Sequence, residues 1–136
     1  MLTDRDRRGL GDGLPVAPPT EYVVDQLVAA CGREPSEVVG AIPPAWGEAS
    51  IEKIAVNAAM AGCLPGHLPV VIAAVEAMLE EQFNLPALQA TTHPGAPLVL
   101  VSGPGMSALG VNAGTGAFGP GFRANPDLSC AQRNGR

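Results

Sequence analysis

SIEKIAVNAAMAGCLPGHLPVVIAAVEAML, residues 50–79, decides the fold of this chain. Ser50 is a side-chain cap for a helix. Ile51, Ile54, Ala55, Ala58 and Ala59 follow at three- and four-residue spacing and make one packed face. Gly62 stops that helix, and the alanines on its face let another helix approach closely. Leu64-Pro65-Gly66 turns the chain. A further helix is predicted over 67–82, with Pro69 in its first turn, where a missing N–H costs nothing. Its segment LPVVIAAVEAML is apolar almost all round, as in a helix covered on most sides.

Upstream, Thr20 is the N-cap of an earlier helix and Glu21 suits its positive end. Tyr22, Val23, Leu27, Val28 and Ala30 give it an apolar stripe, and Gly32 ends it. Between the two helices, REPSEVVGAIPPAWGEAS reads as a loop with at most a short helical turn at 35–39. Ile42-Pro43-Pro44 forces extended backbone there. Trp46, the single tryptophan, reads as a plug in the core or in an interface.

Downstream the period changes. LQATTHP and PLVLVS are short, rich in β-formers and bounded by prolines, which predicts two strands near 87–92 and 97–102. A short helix at 105–109 leads into GVNAGTGAFGPGFRAN, residues 110–125. The expected fold is α+β: three N-terminal helices packed with a small sheet and a C-terminal Gly-rich loop. The expected organisation is a flexible arm over 1–19, a single domain over 20–125 and a polar tail over 126–136.

Composition narrows the function. Of 136 residues, 46% are hydrophobic and only 15% charged, against about a quarter charged in ordinary soluble domains. A surface so poor in charge is expected to be covered by another chain, so a second protein subunit is the expected partner. The net charge of −5 and the single lysine, Lys53, leave no basic stripe interleaved with aromatics, so nucleic-acid binding is not expected. No apolar run reaches the length of a membrane span, and the charged N-terminus is unlike a signal peptide. The expected location is cytoplasmic. Three widely spaced cysteines, Cys31, Cys63 and Cys130, argue against a disulfide framework or a paired metal motif.

The candidate chemistry lies in four places. Asn57 sits mid-helix, where its amide competes for backbone bonds. It either points at something polar or satisfies a neighbouring loop. Cys63 follows Gly62 at the negative end of a helix, which does not activate a thiol. It is a packed small hydrophobe or a catalytic nucleophile. Thr91, Thr92 and His93 bring two hydroxyls and an imidazole into one turn, with His93 as a candidate acid–base group; the plain alternative is a hydroxyl-bonded turn with a surface histidine. His67 reads as a surface residue opening a helix. In the glycine loop, Gly114 and Gly116 let backbone N–H groups approach an anion or carbonyl, Arg123 offers a planar guanidinium fork and Asn125 an amide. No GK[ST] phosphate motif is present. These residues together form a candidate wall for a small-molecule substrate, and they do not define a metal or cofactor.

DGLPVAPPT (12–20), IPPAWGEASIEKIAVNAAMAGC (42–63), LPVVIAAVEA (68–77), QATTHPGAPLVLVSGP (89–104) and FGPGFRAN (118–125) together resemble the C-terminal region of the UGSC family of (seleno)proteins. That family is named for a U/C-G-S-C motif in a separate N-terminal region, whose selenocysteine or cysteine is the reactive group. Cys63 here sits in AGCL and Cys130 in LSCA, so this chain carries no such motif. The resemblance implies half of a two-part protein, with the reactive thiol on another polypeptide. The expected function is a subunit of a hetero-oligomeric enzyme, with thiol-dependent redox or group-transfer chemistry on a small polar metabolite. Two alternatives stand beside it. One is a lyase or hydratase subunit with His93 as base and Arg123 holding a carboxylate. The other is a non-catalytic stabilising subunit.

Overall fold

The structure, a computed structural model, describes residues 16–103, 106–117 and 124–125. The fold is α+β, built from four α-helices and a two-stranded antiparallel sheet among the described residues. Helix α1 spans Glu21–Cys31, with the Thr20 hydroxyl accepting from the Val23 N–H and Gly32 taking the left-handed C-cap at φ 65°. Helix α2 spans Ile51–Ala61, capped in the same way by Ser50. It ends in a complete Schellman motif: the Gly62 N–H donates to the Ala59 carbonyl and the Cys63 N–H to the Ala58 carbonyl. A 3-10 turn over Pro65–His67 then starts helix α3, Leu68–Leu79.

The core lies between α1, α2 and α3. Leu27, Ile51, Leu68 and Val71 are its largest fully buried side chains, with Ala55, Ala58 and Ala59 beside them. Each large aliphatic side chain so buried contributes about 1.5–3 kcal/mol. The small residues of α2 keep the helices close, as the spacing of alanines predicts.

The sheet is not where the sequence places it. Strands β1, Val38–Ile42, and β2, Gly47–Ser50, form a hairpin with Ile42 opposite Gly47 and Val38 opposite Ser50. The segment read as a loop is therefore the only sheet among the described residues. A bulge between Val38 and Gly40 breaks the register, which blurs the two-residue alternation that marks a strand. The Pro43-Pro44 bond in the turn is cis. Gly40 lies where an added Cβ would meet Leu79 Cδ1 at 2.7 Å, so the hairpin seats closely on the end of α3.

The strand expected near 87–92 is instead helix α4, Leu85–Ala90. Asn84 caps it by accepting from the Ala87 N–H, and Pro86 sits in the first turn. The second expected strand, 97–102, belongs to no sheet. Residues 91–100 are exposed throughout, Leu100 at 87% and Leu98 at 64%. The short helix expected at 105–109 is a 3-10 turn, Met106–Leu109. Trp46 is 63% exposed and plugs no core. Residues 1–15 of the expected arm and the whole expected tail, 126–136, lie outside the described residues.

Candidate functional site

His67 is the residue that the sequence places wrongly and the structure makes central. It is 3% exposed, the one buried polar side chain among the described residues. Its Nδ1 accepts from the Leu64 N–H at 3.2 Å, and its Nε2 lies 3.0 Å from the Leu109 carbonyl. A ring that accepts at Nδ1 and faces a carbonyl with Nε2 is the neutral imidazole with its proton on Nε2. His67 thereby fastens the start of the glycine-rich segment to the start of α3.

That segment is held at its far end by two asparagines. Asn125 Oδ1 accepts from the Asn112 N–H at 2.9 Å, and its Nδ2 donates to the Asn112 and Ala117 carbonyls at 2.9 and 2.8 Å. The side chain pairs with Asn112 as a neighbouring strand would. Asn112 in turn accepts from the Gly114 N–H and donates to the Thr115 carbonyl. Gly116 takes φ 82°, a left-handed conformation that favours glycine. Both Asn125 amide protons are engaged inside the loop. The N–H groups of Ala113, Thr115 and Gly116 remain without a bond among the described residues. Arg123, the candidate fork, lies outside the described residues, as does Cys130.

The remaining candidates sit elsewhere. Asn57 turns its amide along its own helix and donates to the Lys53 carbonyl at 2.8 Å, so it serves no neighbouring loop among the described residues. Cys63 is 6% exposed and belongs to the helical core. Thr91 Oγ1 accepts from the His93 N–H at 3.1 Å, which is the plain hydroxyl-bonded turn, and His93 itself is exposed. No hydrogen bond links Thr91, Thr92 or His93 to Asn57 or Asn125 among the described residues. The structure thus gathers Gly114, Gly116 and Asn125 into one loop, and no hydrogen bond among the described residues ties Asn57, Thr91, Thr92 or His93 to it. No group of three metal-ligating side chains exists among the described residues, and no helix among them is long and apolar enough to cross a membrane.

Sequence reading also misses Arg33. Its guanidinium forks onto Glu37 at 2.7 and 3.1 Å and reaches Glu76 of α3 at 2.6 Å. The hydrogen bond from Arg33 holds the Glu37 carboxyl below the usual range. Arg33 lies four residues before Glu37, a spacing that can flag a pair, but Glu76 is too distant in sequence to be foreseen.

Comparison with family models, with curated proteins and with solved structures finds no match to this chain.

Proposed function

We propose that the chain is a subunit of a hetero-oligomeric enzyme acting on a small polar metabolite. Its partner covers residues 91–101, and its own glycine loop forms one wall of the shared site. One observation carries the reading: PLVLV, residues 97–101, lies in the open with Leu98 and Leu100 exposed and with no backbone bond to any described segment. A run apolar at every position suits a strand covered on both faces. Alone it is an edge ready to pair with another chain. The resemblance to UGSC proteins supports a partner that supplies the reactive thiolate, with redox or group-transfer chemistry as the reaction class. On this reading the unbonded loop N–H groups and Arg123 receive the metabolite, while Asn125 positions the loop.

A non-catalytic, stabilising subunit is the second reading. The engagement of Asn57, Asn125 and buried Cys63 in the chain's own architecture favours it.

Co-expression with the neighbouring gene product tests the assembly. Expressed alone, the chain should aggregate or elute as an oligomer, and the partner should convert it to a defined complex. Leu98→Lys with Leu100→Lys should abolish that complex while leaving stability within roughly 0.5 kcal/mol, as at ordinary exposed sites. A monodisperse monomer that ignores its partner overturns the proposal. Metabolite protection of the complex against heat separates the enzyme reading from the stabilising one, because a ligand that binds only the native state must raise Tm.

A further inference from the structure

The hairpin turn and the end of α3 enclose a half-open cleft of about 240 Å³. Its floor is apolar, formed by Pro43, Met78, Leu79 and Leu85. Trp46 lines it with its indole largely exposed, and Glu80 and Glu81 bring two carboxylates to the same cleft. We propose that this cleft binds an organic monocation with a short aliphatic body, an alkylguanidinium or alkylammonium of side-chain size. The inference goes beyond the subunit reading and does not depend on it.

Charge selects the sign of the ligand. No lysine, arginine or histidine lines the cleft among the described residues. Both carboxylates follow the C-terminal end of α3, whose last turn carries no basic residue. Backbone carbonyls make that end the negative pole of the helix. Two acidic residues beside that pole favour a cation over an anion in the cleft.

The indole selects the geometry. A cation over a tryptophan face is attracted by the ring quadrupole, most strongly of all the aromatics. Trp46 at φ 55° and Asn84 at φ 52° are the two non-glycine residues with left-handed backbone among the described residues, and both line this cleft. The volume falls below the usual several hundred Å³ of drug-sized pockets, so the occupant is small. A free amine and the side chain of an arginine or lysine on a protein segment share this chemistry.

Trp46 is the only tryptophan, so fluorescence excited selectively at the indole, beyond the absorption of Tyr22, reads this cleft alone. Titration of the full chain with n-butylguanidinium should give a saturable change, and the neutral isostere n-butylurea should bind at least tenfold more weakly. Glu80→Gln with Glu81→Gln should bring the cation down to the level of the urea. Both residues are exposed, so the variant should keep its circular dichroism and melt. A Gly-Arg-Gly peptide, blocked at both ends, distinguishes the sources. Tighter binding than n-butylguanidinium assigns the cleft to a protein segment, and equal or weaker binding assigns it to a free amine. Equal affinity for cation and urea, or a response linear in concentration, overturns the proposal, as does a charge-neutralised variant that still prefers the cation.

Discussion

Cys63 closes α2 with its backbone and fills the core with its thiol. The hydrophobic residue just past a Schellman glycine commonly packs back onto the helix it ends, and Cys63 occupies that place. Gly62 makes the helix end legible in the sequence, so the packed reading of the cysteine is within reach. His67 is not, because its second partner, Leu109, lies 42 residues away in sequence, and no local pattern foretells such a bond. Cys63→Ser should lower the stability measured by chemical denaturation by about 1–3 kcal/mol, the cost of moving a hydroxyl from water into a buried site. Unchanged stability with lost turnover would instead make the thiol catalytic. His67→Ala should cost roughly 1–3 kcal/mol by removing a buried ring that bonds both the Leu64 N–H and the Leu109 carbonyl. It should also speed proteolysis within residues 106–117. A variant that melts lower but keeps that segment resistant would show that the Leu109 bond does not fasten it.

Two helices that begin after a capping hydroxyl and end at a glycine are legible in the sequence. Thr20, Ser50, Gly32 and Gly62 bracket α1 and α2, and the structure bears out both helices. Where the signals compete, reading fails. LPALQA looks β-prone beside TTHP, yet Asn84 and Pro86 form a helix start that the apolar count hides. The hairpin fails for the opposite reason: its prolines and glycines mark turns, and the bulge spoils the alternation. Asn84 carries two duties, a left-handed backbone and a cap. Asn84→Gly keeps the first and should cost only a few tenths of a kcal/mol, whereas Asn84→Ala loses both and should cost about 1–2 kcal/mol. Equal effects in thermal melts would remove the backbone argument. Between elements, Arg33 binds the segment before β1 to α3. Glu37 has its folded pKa depressed by Arg33, so the stability it contributes is present above the unfolded glutamate value. It is lost as pH falls through the lower folded value. The Tm gap between wild type and Glu37→Gln should therefore exist at neutral pH and close as acidification carries the carboxyl through its lowered folded value. The gap is small at any pH, because the pair is exposed to solvent. A gap that widens on acidification would contradict the sign.

At the scale of the whole molecule, a three-helix core holds one side of the chain in tight packing and leaves a long apolar stretch with nothing described against it. The low fraction of charged residues already implies such an imbalance. Its location is not legible in the sequence, because PLVLVS looks the same whether it pairs within the chain or beyond it. Amide exchange separates the two. Exchange-competent states need no opening where a backbone N–H has no bond, whereas core helices exchange only through larger unfolding. In the isolated chain, diluted until it is monomeric, amides of residues 98–102 should exchange at rates near those of an unstructured peptide, while those of α2 and α3 are protected. When the partner is added, the same stretch should become protected, with little change in the already slow helices. Protection of 98–102 in a dilute, monomeric sample would mean that the chain pairs this strand with itself. The exposed stretch would then lose its claim as the docking surface, and the assembly would have to be built through another face of the chain.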